Sequence, residues 1–197
     1  KEALELKDTL ELTPYFHLAP ENIAWAQQWL IDKNLTKQLI GIHPGCMAKN
    51  KYRRWNKDYF VELITLLIHA INCDVVVIAG PDELDVGSYI SEKTNTRLLT
   101  GAALSNVAAV IAKCSFFINT DSSLGHVASC FGVNSLTIFG PGDENQTAPF
   151  SENSHVIRHS IACAPCIGKK RKVCEVECLT RLKPITVFNE AMRLFPK

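Results

Sequence analysis

The sequence predicts an α/β fold in which a parallel sheet is covered by helices on both faces, and two observations lead to this prediction. Short apolar runs, such as residues 74–79 and 135–139, alternate along the chain with longer segments of helical periodicity, which is the pattern of βαβ units. The runs are continuously apolar, as expected of strands that are buried on both faces. Ligands of such sheets bind beyond the carboxyl ends of the strands, so the loops there are the first candidates for a site.

Composition narrows the classes of function. The 197 residues have a formal net charge of +1, and this balance does not favour a nucleic-acid-binding protein. No apolar run reaches the length of a membrane span, and no signal peptide is recognisable. Of the eight cysteines, four are scattered, and scattered thiols fit a reducing compartment better than a disulfide scaffold; these are Cys46, Cys73, Cys114 and Cys130. We therefore expect a cytoplasmic protein.

The first half of the chain alternates strands and helices. Strands are predicted over residues 37–43, 74–79 and 97–99. Helices are predicted over residues 21–33, 56–71 and 82–92, and over a fourth segment that Ser105 caps and that ends at residue 112. The helix over 56–71 has Phe60, Leu63 and Leu67 along one face, which is the spacing of an amphipathic helix.

The stretch from residue 116 to 141 is the centre of the predicted fold. An apolar strand over 115–118 stops at residues 119–123, a cluster of residue types that favour helix N-caps. A helix follows until Gly132, and a second strand over 135–139 ends at Gly140-Pro141. The helix presents its free N–H groups and its dipole at the carboxyl edge of the sheet, where both favour a phosphate.

The remaining elements complete a Rossmann-like arrangement. A last strand is predicted over residues 155–158, and Pro184 begins a final amphipathic helix. We divide the chain into four parts: an approach segment with the first helix, packed on the domain (1–36), a Rossmann-like domain (37–160), a cysteine loop (161–180) and a C-terminal helix (181–197).

Polar residues gather after three of the predicted strands. The loop after Ile42 contains Gly45 and five basic residues, Lys49, Lys51, Arg53, Arg54 and Lys57. The loop after Ala79 supplies Glu83. The turn after Ile118 supplies Asp121, Ser122, Ser123 and His126. Cations that face a helix N-terminus across a cleft make a diphosphate site. The alternative is that Asp121 and Ser122 only cap a helix, that the basic loop is solvated, and that His126 packs beneath the loop.

Four further cysteines are clustered in the spacing C-x2-C-x7-C-x3-C: Cys163, Cys166, Cys174 and Cys178. Four thiolates at short spacings in a polar loop match a tetrahedral metal site, and a metal would supply the folding free energy that this loop lacks. Zinc is the first candidate, and iron is the other. Two disulfides or four free thiols remain the alternatives.

The motifs resemble those of one enzyme family. The run DSSLGHVASCFGVNSLTIFGP, which begins at Asp121, resembles the D-[ST]-G-x-x-H-x-A…G-x-P…x-FGP signature of glycosyltransferase family nine, the ADP-heptose:lipopolysaccharide heptosyltransferases and their relatives. The loop HPG…R-x-W-x3-Y-F and the turn Gly80-Pro81-Asp82-Glu83 are similar to two further family motifs. The cysteine loop looks like a C-x-x-C…C…C region of a subset of these enzymes, some of which hold a metal there.

The resemblance implies a fold, a reaction and a set of site residues. The family has a GT-B fold of two Rossmann-like domains, and this chain resembles the C-terminal, donor-binding half. Arg53 is expected to offset charge on the departing diphosphate, His126 to line the phosphate end, Glu83 to hold the ribose, and residues 99–104 to lie near the base. The implied donor-binding residues are Gly45, Cys46, Lys51, Arg53, Gly80, Glu83, Asp121, Ser122, Ser123, Gly125 and His126.

The same resemblance implies the reaction partners. The expected reaction transfers heptose, or a related sugar, from ADP-heptose or a similar nucleotide sugar to the lipopolysaccharide core with inversion and without a cofactor for the chemistry. The family's general base lies in the N-terminal GT-B domain, which is missing here, so we expect this chain alone to bind donor without transferring sugar. The full enzyme is expected in the cytoplasm, at the inner face of the inner membrane. The alternative is a non-catalytic Rossmann-like module whose thiolate–metal knuckle serves protein interaction.

Overall fold

The computed structural model describes residues 14–166 and 174–195. Six strands form one sheet in the order β3-β2-β1-β4-β5-β6, and the neighbouring strands are parallel. The strands are β1 (Gln38–His43), β2 (Cys73–Ile78), β3 (Arg97–Leu99), β4 (Phe116–Thr120), β5 (Ser135–Phe139) and β6 (Ser154–Arg158). This is the strand order of Rossmann folds, with the reversal between β1 and β4. The predicted fold class is confirmed.

Helices connect the strands. They are α1 (Pro20–Asp32), α2 (Lys57–Ala70), α3 (Leu84–Thr94), α4 (Leu104–Ile111), α5 (Ser123–Ser129), α6 (Glu144–Thr147), α7 (Glu177–Thr180) and α8 (Pro184–Leu194). Two short 3-10 helices, Ala48–Arg53 and Pro81–Glu83, follow β1 and β2. None of the helices in the described part of the chain combines the length and the apolar character that a membrane crossing needs.

The two faces of the sheet bury separate sets of side chains. Ile40 of β1 and Val75 of β2 face one hydrophobic cluster together with α2, α3 and α8. The adjacent residues Leu39 and Val76 face a second cluster with α1, α4 and α5. Since successive strand residues point to opposite faces, continuous apolar runs are what a sheet covered on both sides requires.

Several predicted boundaries agree with the structure. The strands β3 and β5 occupy the predicted residues. Asn56 caps α2, and its side chain accepts a hydrogen bond from the Asp58 N–H at 2.8 Å. Gly132, shortly after the end of α5, has a φ of 64°, a left-handed conformation that glycine adopts without steric cost.

One predicted cap and one predicted strand boundary are wrong. Ser105 does not cap α4, because Ala103 holds the extended N-cap position and the Ser105 hydroxyl instead accepts a hydrogen bond from Asn22 of α1 at 3.2 Å. The strand β4 continues to Thr120, so Asn119 and Thr120 are fully buried strand residues. Their side chains bond within the sheet edge: Thr120 donates to the Gly45 carbonyl, and Asn119 accepts from Thr137 at 3.1 Å.

Parts of the predicted domain organisation lie outside the described residues. These are the approach segment over 1–13, the centre of the cysteine loop over 167–173 and the last two residues, 196–197. Within the described residues, α1 packs against α4, and α8 packs against α2. The division at residues 36, 160 and 180 itself stays a prediction.

Candidate functional site

A cavity of about 710 Å³ opens beside the loops that follow β1, β2, β3 and β4. Arg53 enters it from the loop after β1, Glu83 from the 3-10 helix after β2, Leu104 from the start of α4, and Ser122 from the start of α5. The strand order reverses between β1 and β4, which is where open parallel sheets bind ligands. The volume lies within the range of small-molecule and cofactor sites.

Trp55 anchors the basic loop. Its side chain is 2% exposed, its Nε1 donates to the Leu182 carbonyl at 2.9 Å, and its ring meets Phe60 edge-on with 5.0 Å between centroids. Arg54 also stabilises the basic loop, because its Nη2 donates to the carbonyls of Cys46 and Asp82 at 2.7 and 2.9 Å. Its neighbour Arg53 instead lines the cavity.

Arg53 and Asp121 form an ion pair at the cavity wall. Arg53 Nη1 lies 2.9 Å from Asp121 Oδ2, and the two side chains are 20% and 6% exposed. Burial raises the pKa of the Asp121 carboxyl, and the nearby Arg53 and His126 oppose this rise. Arg53 was expected across a gap from the start of α5; the structure instead brings its guanidinium against the residue that precedes the α5 N-cap.

Three buried polar atoms at this wall have unused hydrogen-bonding capacity. Among the described residues, Arg53 Nε, Asp121 Oδ2 and Ser122 Oγ have no hydrogen-bond partner; the short Arg53–Asp121 contact is thus a charge contact without hydrogen-bond alignment. Ser122 occupies the N-cap position of α5, yet its side chain makes no capping bond. Because buried polar groups are almost always paired, the cluster is suited to a ligand that supplies acceptors and donors.

The wall of the cavity also contains a buried histidine and a buried glutamate. The His43 Nδ1 lies 2.9 Å from the Ile78 carbonyl, and its Nε2 lies 3.6 Å from Glu83 Oε1. Burial lowers the pKa of His43 to about 4, and burial is also the main cause that raises the pKa of Glu83. His43 is therefore neutral at ordinary pH.

Glycines leave room for the two buried carboxyl groups. A Cβ at Gly45 would clash with the Glu83 side chain, and a Cβ at Gly142 would clash with Asp121 Oδ2. The carboxyl groups of Glu83 and Asp121 therefore lie so close to the backbone of Gly45 and Gly142 that only glycine fits at these two positions.

The structure brings most of the predicted site residues together. Those that line the cavity are Cys46, Arg53, Gly80, Glu83, Asp121, Ser122, Ser123 and His126. Three others do not line it: Lys51 is exposed on its 3-10 helix, Gly45 packs against Glu83, and Gly125 packs against Asn119. The segment predicted near the base also reaches the cavity, through Thr100, Gly101, Ala102 and Leu104.

Sequence reasoning missed some of the lining residues. His43 lines the cavity, and its place at the carboxyl end of β1 is the signal that could have identified it. Met47 and Asn50 belong to the same basic loop, where attention went to the charged residues. Thr147 comes from α6, after β5, and no feature of its sequence neighbourhood indicated a site.

The clustered cysteines do not form the predicted metal site. Cys163 and Cys174 are exposed, whereas Cys166 and Cys178 are buried. Within residues 14–166 and 174–195, no three His, Cys, Asp or Glu side chains are grouped so that they could hold a metal ion. Burial, and then the proximity of the other three thiols, raises the pKa of Cys178 to about 11. The structure gives no support to zinc or iron here.

Comparison with known proteins agrees with the fold. The model of glycosyltransferase family 9 (heptosyltransferase) matches residues 3–177. Lipooligosaccharide heptosyltransferase 2 of Campylobacter jejuni is 28% identical over 166 residues, which are 80% of this chain and 51% of that protein. The solved Escherichia coli ADP-heptose LPS heptosyltransferase II is similar with a TM-score of 0.75 and 23% identity, over 94% of this chain and 54% of that chain.

An E. coli heptosyltransferase solved with ADP is similar with a TM-score of 0.67 and 20% identity, over 86% of this chain and 48% of that one. The chain thus spans about half the length of these relatives. The family model covers most of the chain, including the cavity-lining loops. The chain belongs to glycosyltransferase family 9, the heptosyltransferases.

Proposed function

We propose that this chain is the donor-binding half of an inverting glycosyltransferase, and that its cavity holds a nucleotide diphospho-sugar, ADP-heptose or a close relative. The observation that carries the proposal is the group of unpartnered polar atoms at the start of α5, Arg53 Nε and Ser122 Oγ beside Asp121. A guanidinium and a helix N-terminus together favour a diphosphate. Family membership supports the sugar donor, and the similar E. coli structure with ADP supports adenine as the base.

The proposed orientation of the donor follows the chemistry of the cavity wall. The diphosphate lies between Arg53 and the first turn of α5. The ribose lies toward Glu83, whose buried carboxyl accepts hydroxyl groups, and the base lies against the apolar part of the segment after β3, which includes Leu104. The sugar then extends toward Ser123 and His126.

The proposed reaction transfers heptose to a hydroxyl group of the lipopolysaccharide core. When the bond between the sugar and the diphosphate breaks, negative charge grows on the leaving phosphate. Arg53 and the N–H groups at the start of α5 stabilise that charge, because they are fixed before the reaction begins. In this proposal the general base belongs to the other half of a two-domain enzyme at the cytoplasmic face of the inner membrane, so this chain alone binds donor without turning it over.

Calorimetric titration of the chain with ADP and with UDP tests the proposal. We expect saturable binding of ADP and binding of UDP that is at least about tenfold weaker, a difference of about 1.4 kcal/mol. Preference for UDP would assign the cavity to another class of donor. Failure of both nucleotides to bind would remove the proposed function altogether.

A further inference from the structure

His43 and Glu83 face each other in the wall of the cavity. Their residues are 4% and 6% exposed, and both line the cavity. His43 is the last residue of β1, and Glu83 is the last residue of the 3-10 helix after β2. Two ionisable groups so deeply buried beside a cavity need a physical reason, because burial of unpaired charge is costly.

The hydrogen bonds of His43 determine which nitrogen is protonated. Its Nδ1 lies 2.9 Å from the Ile78 carbonyl, and a carbonyl only accepts, so Nδ1 carries the proton. In the neutral ring, Nε2 is then an acceptor. It faces Glu83 Oε1 at 3.6 Å, so the contact is attractive only when one proton lies between the two atoms.

Burial acts on the two groups in opposite directions. It lowers the pKa of His43 and raises that of Glu83, and both shifts favour a proton on the carboxyl group over a proton on the ring. The charged and titratable groups that act on the pair are Arg54, Asp82, Asp85 and Cys46. Arg54 works against protonation of both residues, while Asp82 and Asp85 favour protonation of Glu83.

The two oxygens of the Glu83 carboxyl group have different surroundings. Oε1 faces His43 Nε2 at 3.6 Å, slightly longer than a hydrogen bond, and Oε2 lies on the side of Gly80, where a Cβ would be 3.3 Å away. Gly45 on the Oε1 side leaves space for the carboxyl, because a Cβ there would clash with it. The side chain is thus held between two glycines, with one oxygen toward His43 and the other toward Gly80.

We propose that His43 is a positioning residue for the donor: it shares one proton with Glu83 and so presents Glu83 Oε2 to a ribose hydroxyl group. This inference rests on the proposed function, since it takes the ribose to lie at Glu83. It assigns His43 a role in recognising the ribose that acts through Glu83 and not through direct contact with the nucleotide.

Two substitutions of His43 separate positioning from packing. His43→Asn keeps a donor for the Ile78 carbonyl but is too short to reach Glu83. His43→Gln is long enough to place its amide oxygen, an acceptor, near Glu83 Oε1. Each variant is titrated calorimetrically with ADP and with 2′,3′-dideoxy-ADP, which lacks both ribose hydroxyl groups.

We expect His43→Asn to weaken ADP binding about fivefold, the effect of one lost hydrogen bond, and to leave binding of 2′,3′-dideoxy-ADP within about twofold of wild type. His43→Gln should recover most of the lost ADP affinity. Equal weakening of both nucleotides by His43→Asn would indicate a structural role and overturn the inference, and so would unchanged ADP binding.

Substitutions of Glu83 test the inference even if the His43 variants do not fold. A glutamine amide matches a protonated carboxyl, since its N–H₂ donates to Nε2 and its oxygen accepts from the ribose. Glu83→Gln should therefore weaken ADP binding clearly less than Glu83→Ala. Equal losses would contradict the shared proton. If the wild-type chain binds no ADP, the proposed function fails; if it binds ADP and these contrasts are absent, only the role of His43 fails.

Discussion

Replacement of Arg53 by alanine is the most informative perturbation of the diphosphate end of the cavity. In the proposed complex the guanidinium donates to the diphosphate, and a hydrogen bond between charged groups contributes about 1.5–3 kcal/mol. Loss of one such bond weakens ADP binding by roughly 10- to 150-fold. The Arg53 side chain is four-fifths buried and lines the cavity, so water replaces it poorly.

The same substitution also removes the ion pair of the free protein. Asp121 would lose its partner at 2.9 Å, but burial already raises the pKa of Asp121, and the carboxyl is able to take up a proton instead of remaining charged. We expect a cost of roughly 1–2 kcal/mol in the free energy of unfolding, between the values for exposed and buried pairs. The chain therefore stays folded, and its ADP affinity is measurable.

Lys49→Ala is the matched control for Arg53→Ala. Lys49 lies on the same 3-10 helix, Ala48–Arg53, is exposed, and does not line the cavity. Both substitutions remove one positive charge, and at physiological salt an exposed charge acts over only about 8 Å. Calorimetry at fixed ionic strength should show less than about a twofold effect for Lys49→Ala. Equal losses in the two variants, or none in Arg53→Ala, would refute the assignment of Arg53 to the diphosphate.

Three further expectations concern the surroundings of the cavity. Gly142→Ala should displace the Asp121 carboxyl, because its Cβ would clash with Oδ2. The variant should bind ADP more weakly and show little change in circular dichroism. Unaltered ADP affinity would argue against a role of Asp121 and Arg53 in donor binding. Trp55→Phe leaves the Leu182 carbonyl without its indole donor and should lower the free energy of unfolding by about 1–3 kcal/mol in urea titrations, whereas a smaller loss would mean that the anchor is dispensable. The folded-state pKa of His43 is about 4, below its ordinary value of 6.5. Its neutral form therefore stabilises the fold above pH 6.5, and this stability is lost as pH falls toward 4. The melting temperature should drop less between pH 7 and pH 5 in His43→Gln than in wild type.

Local sequence signals were sufficient for the sheet but less so for the helix starts. The strand over Ser135–Phe139 was predictable because an apolar run is bounded by Asn134 and Gly140, and strands bounded by turn residues are easily recognised. Asn119 and Thr120 looked like capping residues, yet they complete β4, because long-range partners in the sheet edge satisfy their side chains. Those partners come from the loop after β1 and from β5, and they have no local signature.

The site was predictable at the level of loops and not of contacts. Arg53, Glu83 and Asp121 were identified because parallel strands bring their carboxyl ends to one edge. The ion pair between Arg53 and Asp121 was not foreseen, since it depends on how Trp55 and Arg54 set the path of the basic loop. The cysteine spacing predicted a metal site, and the described residues contain no group of side chains arranged to hold a metal ion, because spacing along a chain does not fix the mutual geometry of the thiols.

A crystal structure of the chain with ADP would test the central claim most directly. The account predicts a diphosphate with its oxygens within about 3 Å of the Arg53 guanidinium and of the backbone N–H groups at the start of α5, with the ribose beside Glu83. ADP bound elsewhere on the chain, with the Arg53–Asp121 wall still in contact with solvent alone, would contradict it.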